Sequence, residues 1–304
     1  GETVDGITGP YDDKSMAITF AGSSTFRASL RIAKGGSPWN EPLPTFDRAG
    51  QQLKHRYETW AQKMPDVPQH YLKTAELAWY HLWSLIAAPE GNYKREPILV
   101  NHLWFNKLFA WDNCFHALGV VQADPELACA QLLILYDNQL ENGGIPDPLS
   151  DQRAHYAYIK PPVHGWCVLE MINIVGAEAL RPYLSDLYKG MAKWTHWWLD
   201  QRDSNGNGLA EYVSGQDSGW DNATVFDVGE PVEGADLGAH ILLQMEALAT
   251  MAELLDNSAE QKQWQQRYKE YFDRFITAQW KDDHFISPSV NGKTNSEGRC
   301  LIDD

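Results

Sequence analysis

The chain has 304 residues, 43% of them hydrophobic, enough for one large core or two smaller ones. Its formal charge of −16 repels phosphate backbones, so a nucleic acid partner is not expected, while a neutral or cationic small substrate is compatible. No apolar run reaches the ~18 residues of a membrane span, and Gly1 to Gly9 do not form a signal peptide but read like mid-protein sequence, so a fragment or a processed form is expected.

Residues 16–33 alternate. Phe26, Ala28, Leu30 and Ile32 fall on one face and Arg27, Ser29 and Arg31 on the other, the pattern of a half-buried strand. Met16, Ile18 and Phe20 supply a partner, with a turn at Ala21-Gly22-Ser23-Ser24. Gly35-Gly36-Ser37-Pro38, Pro42 and Pro44 then form a linker. A β-rich segment over 1–45 is therefore expected to precede a helical domain over 46–304. From about Gln69 to Ala87, Leu72, Ala75, Trp79, Leu82 and Ile86 share a helical stripe. Further helices are expected after Phe109, from Asp124-Pro125-Glu126 with Asp124 as cap, after Pro161-Pro162, over Arg181–Asp200, from Asp236, and after a capping box of Ser258 and Gln261. About eight helices in consecutive hairpins without a fixed-period repeat favour a toroid over a solenoid. The connections 141–160 and 201–235 are long, and long loops in a helical domain are usually functional.

Thirteen Trp and thirteen Tyr are many for this length; Trp is usually core, and the alternative is a sugar cleft, since an aromatic face suits the C–H face of a pyranose. Cys114, Cys129, Cys167 and Cys300 form no CxxC pair and read as small buried thiols, which fits a cytoplasmic or a periplasmic setting. Four loop clusters carry candidate chemistry. Leu108-Phe109-Ala110-Trp111-Asp112-Asn113 places a carboxylate beside an indole at a helix start, either as a cap or as a sugar contact. Asn142-Gly143-Gly144-Ile145-Pro146-Asp147 is an ordered turn. Lys160-Pro161-Pro162-Val163-His164-Gly165-Trp166 holds a single His, and no second His stands at zinc-ligand spacing. In the fourth, Asp203, Asn205, Asn207, the Leu209 carbonyl and Glu211 resemble the start of a calcium loop, with a metal-free Asx turn as the equal alternative. Then Gln216-Asp217-Ser218-Gly219-Trp220-Asp221-Asn222 sets two carboxylates around a Gly-Trp turn. Asp221 can act as a proton donor if Trp220 and Phe226 bury it.

The stretches Asp203–Tyr212 and Asp217–Thr224 resemble glycoside hydrolase family 63, and related trehalases carry a similar Ser-Gly-Trp-Asp turn. Trp111-Asp112, Gly144–Asp147, Lys160–Pro162, Trp166 and Asp236-Leu237 follow in the family's order. The resemblance runs from about residue 46 to 304. It implies a mainly α, (α/α)6 toroid, incomplete in this chain, and inversion at an α-linked glucose or related sugar in an oligosaccharide or small glycoside. The family's proton donor falls on Asp221. Phe109, Trp111, Asp112, Asp147, Lys160, His164, Gly165, Trp166, Asp217, Gly219 and Trp220 fall in its sugar pocket, and some relatives bind calcium at the 203–211 loop. No other cofactor is implied. Inversion needs a second carboxylate. The family's base is a Glu in a Glu-Asn-Tyr-like stretch absent here, and neither Glu230 nor Glu233 matches it. That base is expected beyond residue 304, with a second chain or further segment completing the toroid and this chain alone weak or inactive. A phosphorylase on the same toroid and a sugar-binding, non-catalytic subunit are the alternatives.

Overall fold

The computed structural model describes residues 44–227 and 229–290. The strands expected over 16–33, the linker and Cys300 lie outside the described residues. The chain divides into two units, residues 1–59 and 60–304. In the first, helix α1 (Phe46–Ala61) begins where the Thr45 hydroxyl accepts the Arg48 N–H at 3.3 Å, and its side chains there are largely exposed. In the second, Trp60 and Trp79 stack at 4.3 Å between ring centroids. Each indole N–H donates to the other residue's carbonyl at 2.9 Å, so two large apolar side chains are buried with no unmet donor.

Helix α2 (Leu72–Leu85) follows a 3₁₀ turn at Gln69–Tyr71 and turns the Leu72, Ala75, Trp79 and Leu82 stripe inward, as its spacing predicts. Three hairpins then follow. Helix α3 (Asp112–Val120) returns through α4 (Pro125–Tyr136), α5 (His164–Val175) through α6 (Ala177–Gln201), and α8 (Ala235–Leu254) through α9 (Ser258–Gln279). A four-residue helix, α7 (Gly215–Ser218), precedes α8. Helix α5 packs against both α3 and α8. The return helices close a second layer through α3–α4, α4–α6, α6–α8 and α8–α9 contacts. Leu127 to Leu135 of α4 are all buried, as are Leu237, Ile241, Met245 and Leu248 of α8. Each fully buried Leu, Ile or Met contributes roughly 1.5–3 kcal/mol. The only named sheet among the described residues is the pair β1 (Trp280–Lys281) and β2 (His284–Phe285).

Two boundaries differ from the sequence reading. Asn257, not Ser258, caps α9: its side chain accepts the Glu260 N–H at 3.3 Å. Both residues are good caps, and Asn257, at φ −101° and ψ 75°, is the last non-helical residue before the helix. Helix α6 starts at Ala177 rather than Arg181 and contains Pro182, because the break is set by Gly176 at φ +81°, where α5 ends. Asp124 caps α4 as expected, accepting the Leu127 N–H at 3.0 Å. Among the described residues no helix is long and apolar enough to cross a membrane.

Candidate active site

The segments that lead into α3, α5 and α8 meet at one end of the helical layer. Ahead of α3, Leu108 pairs with Leu149 of the α4–α5 connection through 2.9 and 3.0 Å backbone hydrogen bonds. This brings Asp147 under the Phe109–Asp112 turn, where its Oδ1 accepts the Ala110 N–H at 2.6 Å. Asp147 is 1% exposed, and burial lifts its carboxyl to about 7; Asp112 and Asp217 push it further up, while the Ala110 hydrogen bond and Lys160 oppose the rise. Asp112, half-buried at the start of α3, is also raised by burial, against the pull of backbone and Trp111 hydrogen bonds and of Lys160.

Asp217 ties the chain entering the third cluster to the fourth. It is 1% exposed, accepts the Ile159 and Val213 N–H groups at 3.3 Å each, and pairs with Arg202 at 3.7 Å. Burial raises its carboxyl, and Arg202 pulls it back down. Lys160 donates to the Gln216 carbonyl at 2.5 Å. Asp147 and Asp217, read from sequence as sugar contacts, therefore sit beneath the surface and hold backbone. Lys160, half-buried, acts electrostatically on Asp112, Asp147 and Asp217 alike. Arg202 was missed because it precedes the acidic loop; nothing in its spacing points back to Asp217.

The third cluster forms the first turn of α5. His164 is fully buried against the Tyr136 ring, 6.1 Å between centroids, and desolvation lowers its imidazole to about 3. Gly165 faces α8: a Cβ there would lie 2.5 Å from the Gln244 Cα, so its missing side chain is what lets the helices meet. Trp166 is half-buried and tilts against Phe115 of α3 at 5.8 Å. Phe109, also half-buried, meets Phe105 edge-on at 5.5 Å. Beneath them Asn113, fully buried, donates to Gln131 at 3.2 Å, and Gln131 also accepts the Ile98 N–H at 2.7 Å. A lone Gln inside the apolar run of α4 was the overlooked signal.

Gly219 ends α7 in the left-handed conformation, φ +75°, directly against Trp111; a Cβ would lie 2.5 Å from the indole. Beyond that turn Trp220 is 53% exposed and Asp221 is exposed. The apolar burial expected for Asp221 is thus not present. Phe226 instead faces Tyr212 edge-on at 6.3 Å and crowds Gly215, so it does not cover the carboxylate.

In the 203–211 loop, both Asp203 oxygens accept the Asn207 and Gly208 N–H groups at 3.0 and 2.9 Å. Asn205 and Asn207 accept further backbone N–H groups and donate to Glu233 at 2.8 and 2.7 Å, and Glu211 accepts from Ser204 at 2.9 Å. Calcium needs six to eight converging oxygens. Here the side-chain oxygens face amide hydrogens and two amide nitrogens point at Glu233, the arrangement of an Asx-turn ladder. Among the described residues no cluster of His, Cys, Asp and Glu forms a metal site. Glu230 accepts the Gly215 N–H at 2.7 Å. A groove of about 410 Å³ between α8 and α9, lined by Glu246, Thr250, Glu253, Gln265 and Tyr268, shares no residue with this cluster.

The family model of the mannosylglycerate hydrolase MGH1-like glycoside hydrolase domain matches residues 106–303. A mannosylglycerate hydrolase of Rubrobacter radiotolerans is 26% identical over 45% of this chain and 36% of its own length. A glucosylglycerate hydrolase of Mycolicibacterium hassiacum is 26% identical over 43% and 35% respectively. The matched region thus spans about a third of the length of these curated relatives. Among solved structures, the GH63 mannosylglycerate hydrolase of Thermus thermophilus in complex with Tris superposes with a TM-score of 0.60 at 18% identity, covering 72% of this chain and 69% of that one. Its complex with glucose gives 0.58 at 19% identity, covering 72% and 68%. The helical hairpins have the fold of the family 63 (α/α)6 toroids.

Proposed function

Because the chain belongs to the mannosylglycerate hydrolase MGH1-like glycoside hydrolase family, we propose that it carries the sugar-binding wall of an inverting glycosidase acting on a small α-glycoside with a glycerate-type aglycone. The observation that supports this is the gathering of Trp111, Asp112, Lys160 and the Gly219–Asp221 turn at one end of the helices, with Trp111 packed on Gly219. Trp111 offers an apolar face to a pyranose, Asp112 accepts its hydroxyls, and Asp221 stands as the proton donor to the departing oxygen. Neither Glu230 nor Glu233 is assigned as the base, since each is engaged with N–H groups of its own loops.

The test is turnover of glucosylglycerate, mannosylglycerate and a neutral α-glucoside by the chain and by Asp221→Asn, with and without inorganic phosphate. The variant is expected to lose about 10²–10⁴-fold. Hydrolysis surviving within about tenfold removes Asp221 from the role, and phosphate-dependent product release replaces hydrolysis by phosphorolysis. The exposure of Asp221 favours a second reading, binding without turnover. It is distinguished by a ligand titration of tryptophan fluorescence that saturates while the parallel activity assay stays flat.

A further inference from the structure

We propose that Asp147 is a positioning residue of this site: from beneath, its carboxyl fixes the Phe109–Asp112 turn so that Trp111 and Asp112 meet a glycoside as one unit. The inference rests on the site assigned above, but its geometry stands apart from any ligand. Asp147 is 1% exposed and does not present itself to a sugar. Its Oδ1 holds the N–H of Ala110, the residue before Trp111, at 2.6 Å. Its own N–H donates to the His155 carbonyl at 2.7 Å, and Leu149, two residues on, pairs with Leu108. The turn is therefore held on both sides, at Leu108 by main chain and at Ala110 by the carboxyl. Remove the carboxyl and Ala110 keeps a buried N–H without an acceptor, which relaxes by moving the turn that carries Trp111 and Asp112.

The same carboxyl titrates where enzymes work. Burial places it at about 7, with Asp112 and Asp217 adding like charge and Lys160 opposing. These three, with Arg202 paired to Asp217, are the charged groups acting on it or on its immediate partner. Above that pH a third negative charge stands beside Asp112 and Asp217. A bound sugar excludes water from the turn and makes that charge harder to hold, so binding favours protonated Asp147. Affinity falls as pH rises through about 7.

The experiment pairs hydrogen exchange at the Ala110 amide in the free chain with glucosylglycerate and mannosylglycerate titrations between pH 5.5 and 8.5, for the chain, Asp147→Asn and Asp147→Ala. The Asn variant keeps an acceptor and loses the proton. Its Ala110 protection stays, its affinity at pH 6 stays within about threefold, and the fall above pH 7 disappears. Its melting temperature at pH 8 is no lower than that of the parent, because a carboxyl raised above its unfolded value loses stability as pH climbs. The Ala variant exchanges Ala110 at least about tenfold faster and binds at least about tenfold more weakly at every pH, the scale of a buried N–H left without an acceptor. An unchanged pH profile in Asp147→Asn, or unchanged Ala110 exchange in Asp147→Ala, overturns the inference. If the parent chain binds neither glycoside, the functional reading fails, and the exchange measurement alone still decides whether Asp147 holds the turn. Should Asp147→Ala not fold, the Asn pH profile remains decisive.

Discussion

A neutral imidazole sealed at the start of α5, with neither ring nitrogen hydrogen-bonded, ties the stability of the fold to pH. Unfolded, His164 takes up its proton near pH 6.5; folded, only near about 3. A depressed value means the stabilised form is the neutral one. Stability is then complete above about 6.5 and is lost as pH falls toward 3, on the order of 3 kcal/mol by pH 4. Melting temperatures of the chain and of His164→Leu from pH 7.5 to 4 check this: the variant is expected to lose most of the acid slope, and parallel curves would place the acid sensitivity elsewhere. Residue types at the site were legible, since Asp beside Trp and a His after two prolines are visible patterns. Their orientation was not. Whether Asp147, Asp217 and Asp221 look inward or outward depends on which backbone N–H groups lie nearby, and Ala110, Ile159 and Val213 reach the first two carboxylates from 4 to 58 residues away.

At the level of elements, the crossing of α5 and α8 depends on one absent methyl group. Alanine at Gly165 improves helix propensity by up to about 1 kcal/mol. Its Cβ, however, would lie 2.5 Å from the Gln244 Cα and 2.7 Å from the Leu243 carbonyl oxygen, which are backbone atoms that cannot rotate aside. Overpacking of that kind costs about 1–3 kcal/mol, so the loss wins. Gly165→Ala is expected to lower the melting temperature by roughly 2–8 °C. A melting temperature equal to or above the parent's would show that the helices give way cheaply. From sequence Gly165 reads as a loop residue near a pocket, because contact across two helices 79 positions apart leaves no periodic trace. What periodicity does report, the inward stripes of α2 and α8, it reports well. It fails at ends, where Asn257 and Ser258 compete for the cap and Pro182 suggests a start that Gly176 has already provided.

Over the whole molecule, the excess of acidic residues meets the proposed substrate class directly. A net −16 surface opposes an anionic glycoside, and the cations of the cluster are already engaged, Lys160 with the Gln216 carbonyl and Arg202 with Asp217. Screening weakens that opposition, with a Debye length falling from about 30 Å at 0.01 M salt to about 8 Å at 0.15 M. Glucosylglycerate is expected to bind about two- to fivefold more tightly at the higher salt, with a neutral α-glucoside unchanged, as followed by calorimetric titration. Weaker binding of the glycerate glycoside in salt would mean that an available cation receives it. The toroid itself was legible through consecutive hairpins of similar helices and through the long connections between them, which do gather at one end. Cys114, Cys129 and Cys167 are the feature that reaches beyond the site. All three are buried and unbridged, and desolvation pushes the Cys114 and Cys129 thiols upward, the latter to about 12. Sulfur attacks as thiolate, so these groups are chemically silent while the helices stand. With all three thiols unbridged, reducing surroundings leave the described architecture with no cross-link to break.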